Sequence, residues 1–124
     1  MKLSIIIPIF NEAKTVKELI KKVEALNINK EIIAVDDGST DDSLDILTKL
    51  VDEGRIKFIQ HQKNLGKGAA IKSGLKQASG DIIIIQDADL ETDPQDFYEL
   101  IKPIISGETK AVFGYRTAKK PASV

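Results

Sequence analysis

Glu31-Ile32-Ile33-Ala34-Val35-Asp36-Asp37-Gly38-Ser39-Thr40 is an apolar run that breaks into two carboxylates, a glycine and two hydroxyl residues. Its β-branched residues and the turn signal behind them read as a buried strand over residues 31–35. Ser39 or Thr40 then fits the cap of a helix bearing Leu44, Leu47, Leu50 and Val51 at helical spacing, with Gly54 as its stop. The unit of apolar strand, polar strand end and amphipathic helix recurs along the chain, which makes the class α/β with a mostly parallel sheet.

Upstream, residues 2–9 read as strand 1, followed by a helix with Val16, Leu19, Ile20, Val23 and Leu26 on one face. Downstream, strand 3 covers residues 56–60 and leads through a glycine loop to a helix whose face is small: Ala69, Ala70, Gly74 and Ala78. Such a face predicts close helix-on-sheet packing. Strand 4 covers 81–86, a helix enters at Pro94 with Phe97, Leu100, Ile101 and Ile104 inward, and strand 5 covers 110–115. Residues 1–116 form one domain in this reading and 117–124 a loop or tail.

The composition excludes several function classes. With 18 Lys+Arg against 19 Asp+Glu in 124 residues the net charge is −1, so there is no general pull toward nucleic acid or an anionic membrane. No cysteine is present, which removes disulfides, thiolate nucleophiles and thiolate metal sites and leaves oxygen atoms as metal ligands. The apolar runs at residues 5–7 and 82–85 are far below the roughly 20 residues of a bilayer span. The start Met1-Lys2-Leu3-Ser4 does not read as a secretory signal, so the expected location is cytoplasmic, with membrane contact at most peripheral, at the cytoplasmic face.

Charge is nevertheless uneven. Residues 81–99 hold seven acids and no Lys or Arg, and residues 60–76 hold four lysines and no acid. Solvated helix and loop faces account for most such runs. The strand ends carry more information, because open parallel sheets bind ligands beyond the carboxyl ends of their strands. Strand 1 ends in Pro8-Ile9-Phe10-Asn11-Glu12, strand 2 in Asp36-Asp37-Gly38 and strand 4 in Asp87-Ala88-Asp89. Gathered on one rim, these carboxylates repel unless a cation or a donor-rich ligand joins them.

Asp87 and Asp89, two apart in extended backbone, can face one hard cation, Mg2+ or Mn2+, whose shell waters and phosphate oxygens complete. Asp36 and Asp37 suit a ribose hydroxyl or a base N–H, or equally a helix cap and turn with Gly38. Asn11 and Glu12 fit a helix cap as well as a ligand. Pro8 belongs at a strand edge or end, where with Phe10 it can wall a planar base or simply fill core. Lys67, in Asn64-Leu65-Gly66-Lys67-Gly68, can approach an anion or stand in solvent. The loop is no Walker A motif, since His61 and Gly68 occupy the positions that need Gly and Ser or Thr. It is no dinucleotide fingerprint either, since Ile71 replaces the third glycine. His61 reads as a strand-end surface residue. Arg116, after strand 5, can reach a phosphate or stand in solvent.

Taken together, Ser4 to Glu12, Ile33 to Asp41, Asn64 to Gly68, Ala78-Ser79-Gly80-Asp81, Gln86 to Glu91 and Gly114-Tyr115-Arg116 resemble the family 2 glycosyltransferases of the GT-A fold. The resemblance is to the dolichol- and polyprenyl-phosphate mannose or glucose synthases in particular. It implies a three-layer Rossmann-like fold with strand order 3-2-1-4 plus a fifth strand. It further implies inverting transfer of a hexose from a nucleotide-diphosphate sugar, of the UDP-glucose or GDP-mannose type, to an acceptor such as polyprenyl phosphate. Pro8, Phe10, Glu12, Val35 and Asp37 match nucleoside-contacting positions, with Asp36 beside them. Asp87 and Asp89, flanking Ala88, match the metal and diphosphate motif, and Arg116 matches a position near the phosphates. The family's usual length implies further sequence after the Gly-x-Arg strand, so the chain reads as the nucleotide-binding half of a catalytic domain, whose open sheet predicts self-association as a homo-oligomer.

Two other readings remain open in the sequence. One is a non-catalytic nucleotide-sugar-binding or assembly module. The other is a receiver-like signalling domain, although its paired acids should follow strand 1 rather than strand 2.

Overall fold

Runs such as Ile5-Ile6-Ile7 and Ile82 to Ile85 have β-branched side chains that fit a pleated surface, and here they pair side by side in a parallel sheet. The computed structural model describes residues 2–89, 93–96 and 99. Its elements are β1 (Leu3–Ile9), α1 (Val16–Glu24), β2 (Lys30–Asp37), α2 (Ser43–Asp52), β3 (Lys57–His61), α3 (Lys67–Gln77) and β4 (Ile82–Ile85). The strand order is β3-β2-β1-β4 and every pairing is parallel. This is the GT-A arrangement the resemblance implies, and it differs from the 2-1-3-4-5 order of receiver-type sheets.

The chain steps outward from β1 to β3 and then returns to the far side of β1 as β4. With crossovers of one hand, that reversal moves α3 to the opposite face from α1 and α2. The side chains obey the strand alternation. Leu3, Ile5, Ile7, Ile9, Ile32 and Ala34 join Val16, Leu19, Ile20 and Val23 of α1 and Leu47 and Leu50 of α2 in the larger core. Ile6, Ile33 and Val35 point the other way and meet Ala70 of α3. Burial of each such Ile or Leu contributes about 1.5–3 kcal/mol. The small face expected on α3 has its reason in Gly74, where a Cβ would lie 2.6 Å from Ile6 Cγ2.

Pro8 sits in an interior strand without breaking it. Ile6 O accepts from Gln86 N–H at 2.9 Å on the β4 side, so Pro8, two residues on, faces that side too. There β4 ends at Ile85, the partner of Ile6, so the missing N–H falls where the ladder stops.

Several boundaries move from the sequence reading. β2 continues through both Asp36 and Asp37, and β3 is shifted one residue on, to end at His61. Neither Ser39 nor Thr40 caps α2, which starts at Ser43 behind Asp42. Both are drawn instead to Asn11: its N–H donates to Ser39 Oγ at 2.9 Å and its Oδ1 accepts the Thr40 N–H at 2.7 Å. Residues 94–96 are helical, as Pro94 predicts. Phe97, Leu100, Ile101, Ile104, strand 5, Arg116 and the 117–124 tail lie outside the described residues.

Candidate functional site

At the carboxyl ends of β1, β2 and β4, where the strand order reverses, a cleft of about 520 Å³ opens beside the start of α3. One wall is apolar. Pro8 and Phe10 at the end of β1 form it with Ala88, and Phe10 remains 44% exposed although it is a large aromatic.

A second wall is Asp37 and the loop it holds. Asp37 Oδ1 accepts the Leu65 N–H and Oδ2 the Gly66 N–H, each at 2.9 Å, while His61 Nδ1 lies 2.8 Å from Oδ1. Burial would push this carboxyl up, but these donors outweigh it and leave its pKa below the usual aspartate value. Gly38 makes the approach of the loop possible. Its φ is +76°, and a Cβ there would stand 2.4 Å from the Lys63 carbonyl carbon.

The third wall is charged. Asp87 and Asp89 both line the cleft, and Lys67, the first residue of α3, reaches across to pair with Asp87 Oδ1. Glu12 completes this side. Thr15 Oγ1 lies 2.8 Å from Ala88 O and 3.3 Å from Glu12 Oε2, tying the loop after β4 to the start of α1. Burial raises the Glu12 pKa above 4.5; the Thr15 hydroxyl opposes this, and Asp89, Asp41 and Asp87 add to it. The rim thus gathers the carboxylates expected from the sequence, with Lys67 paired to Asp87.

Eight of the residues singled out in the sequence line this cleft: Pro8, Phe10, Glu12, Asp37, Lys67, Asp87, Ala88 and Asp89. Four others do not. Asp36, one residue from Asp37 in a pleated strand, falls on the α1 and α2 face, 1% exposed, with Oδ2 3.3 Å from Ser39 N. Val35 is fully buried beneath the cleft among Ile6, Ile33 and Ala70. Asn11 is turned to the 39–41 segment and Gly38 supplies the turn, so both shape the rim without lining it. Asn64, Gly66 and Ala70 line the cleft as well.

His61 is the residue sequence reasoning misplaced. It is no surface residue: its side chain is 9% exposed and bonds to Asp37. The signal was the parallel register, in which Asp37 and His61 are direct partners once β2 and β3 are each carried to their true ends.

Asp87 and Asp89 fit a divalent cation of the Mg2+ or Mn2+ kind. Among the described residues no group of three or more metal-ligating side chains forms. Two carboxylates in a cleft that also holds a lysine suit an ion completed by phosphate oxygens and water. No helix among the described residues is long and apolar enough to cross a membrane.

The sequence profile of the glycosyl transferase family 2 matches residues 4–123. An undecaprenyl-phosphate 4-deoxy-4-formamido-L-arabinose transferase of Pseudomonas syringae is 40% identical over 105 residues, 80% of this chain and 31% of the relative. A dolichol-phosphate mannosyltransferase of Pyrococcus furiosus is 37% identical over 114 residues, 90% of this chain and 32% of the relative. The chain spans about a third of the length of such curated relatives. Among solved structures, S. aureus TarS in complex with UDP-GlcNAc superposes with a TM-score of 0.72 and 29% identity over 86% of this chain and 32% of its own. Glucosyl-3-phosphoglycerate synthase of Mycobacterium tuberculosis with Mn2+, UDP and glucosyl-3-phosphoglycerate gives 0.69 and 26%, over 86% of this chain and 40% of its own.

Proposed function

The chain belongs to glycosyl transferase family 2, and from that premise we propose that it forms the donor half of an enzyme transferring a hexose from a nucleotide-diphosphate sugar to polyprenyl phosphate. One observation carries the reading: three strand ends and the start of α3 bring an apolar wall, a polar wall and a charged wall with two aspartates and a lysine to a single cleft. These match the base, the ribose and the diphosphate of such a donor in that order.

Pro8 and Phe10 offer the base a flat apolar surface. Asp37 accepts hydrogen bonds from the base or the ribose. Lys67 and the first amides of α3 meet the diphosphate, and the helix dipole adds to the attraction. Asp87 and Asp89 hold the divalent cation, which, when bound, offsets the charge developing on the nucleoside diphosphate leaving group. Arg116, outside the described residues, is assigned to the same phosphates by the family resemblance alone. A phosphate acceptor is already ionised, so transfer with inversion needs no strong base from this chain. The acceptor is read from the relatives, which are named as undecaprenyl- and dolichol-phosphate transferases. A polyprenyl-phosphate acceptor would bring the reaction to a membrane surface, and the cytoplasmic face is the side we propose.

Calorimetric titration with UDP, GDP and their sugar conjugates, with Mn2+ and again with chelator, tests the reading. Binding of one nucleotide that requires the cation and is lost in Asp89→Ala is expected. A folded protein that binds neither nucleotide overturns it.

A further inference from the structure

The Asp37 carboxylate is loaded unequally. Among the described residues, Oδ1 meets two partners, the Leu65 amide and His61 Nδ1, whereas Oδ2 meets one, the Gly66 amide. A carboxylate oxygen accepts two hydrogen bonds, so Oδ2 keeps an acceptor site on a residue that lines the cleft. A relay is buried behind the carboxylate. His61, the register partner of Asp37 on the edge strand β3, has Nδ1 2.8 Å from Asp37 and Nε2 2.8 Å from Ser73 Oγ on α3. Asp37 only accepts, so Nδ1 carries the proton, and in the neutral ring Nε2 takes the hydrogen of the Ser73 hydroxyl. His61 and Asp37 side chains are 9% and 5% exposed, which shields the bonds from competing water.

We infer that His61 is a positioning residue that, braced by Ser73, turns Asp37 so that its Oδ2 is offered to a hydroxyl or N–H donor of the nucleoside. The inference rests on the function proposed above. It assigns His61 no contact with the ligand. The relay reaches the nucleoside end of the cleft through Asp37, and the diphosphate end, built by Lys67, Asp87 and Asp89, does not depend on it.

The test compares UDP and GDP with inorganic pyrophosphate, each with Mn2+, on the full-length protein and on His61→Leu, His61→Asn and Ser73→Ala. In His61→Leu the bound nucleotide weakens about tenfold, the scale of one lost hydrogen bond to a charged group. Pyrophosphate affinity stays within about twofold, because it occupies only the phosphate end. His61→Asn, whose amide donates from near the Nδ1 position, regains most of the loss, and Ser73→Ala shows a smaller loss of the same kind. If His61→Leu does not fold, the nucleotide-to-pyrophosphate ratio in Ser73→Ala decides the matter. Equal loss for nucleotide and pyrophosphate, no loss for either, or an Asn variant no better than Leu overturns the positioning role. A parent protein that binds pyrophosphate and neither nucleotide overturns the donor reading itself, and the inference with it.

Discussion

Lys67 Nζ donates to Asp87 Oδ1, joining the first residue of α3 to the loop that leaves β4 twenty residues later. The pair closes the charged wall of the cleft and puts a fixed cation on one of the two carboxylates that fit a metal ion. With Lys67 38% exposed, the bond is solvent-screened, and an arriving diphosphate can draw the ammonium away from Asp87.

Lys67→Met should therefore separate two affinities. Mn2+ alone is expected to bind more tightly, because Asp87 no longer has an internal partner. UDP or GDP with Mn2+ is expected to bind about tenfold more weakly, since a cation facing the phosphates is gone. Isothermal titration of each ligand measures both, and a change of the same sign in the two would defeat the argument.

Gly38→Ala tests how closely the Asp37 turn packs on the 63–66 loop. A methyl group would meet backbone, Lys63 C at 2.4 Å and Asn64 N at 2.5 Å, from a residue at φ +76°. Backbone cannot swing aside as a side-chain tip can, so a loss on the order of 2–4 kcal/mol is expected in urea unfolding. A loss under about 1 kcal/mol would show that the loop moves freely.

Asn11 tethers the end of β1 to the 39–41 segment from a φ of +53°. Its two contributions can be taken apart. Asn11→Gly keeps the backbone conformation and loses the side-chain bonds, at about 1 kcal/mol. Asn11→Ala adds the left-handed penalty, for a total of about 2–3 kcal/mol. Equal losses in denaturant melts would mean that the conformation costs nothing here.

Glu31 predicts the acid limb of stability. Its side chain is 7% exposed at the opposite end of the sheet, where Ser4, Ser79 and Lys57 surround it. Burial pushes its pKa up, but Lys57, Ser4 and the Ser79 amide and hydroxyl overcome that and hold it well below 4.5. A carboxylate lowered on folding stabilises above its unfolded pKa, and that stabilisation is lost as pH falls through the folded value. Unfolding free energy should thus decline as pH drops below 4.5, and Glu31→Gln should be less stable at pH 7 with a flatter decline. An unchanged slope in the variant would assign the acid limb to other groups.

Much of this molecule was written in local pattern. The alternation of apolar runs and helical spacing marked every element among the described residues, because strand and helix periods are set by covalent geometry and by which faces must leave water. Strand-end position marked Asp87, Asp89, Pro8 and Phe10, because ligands of an open parallel sheet bind beyond the carboxyl ends of its strands. Only tertiary structure decided between Asp36 and Asp37. The pleat sends them to opposite faces, but which face holds the cleft depends on α3 crossing behind β1 rather than beside α1 and α2. The same holds for His61 and Asn11. Each looked like surface or cap in the chain, and each took its role from a partner 24 or 29 residues away that parallel register and loop packing brought within 3 Å. Periodicity carries no information about such pairs, since it is a property of one element and their contact is a property of two.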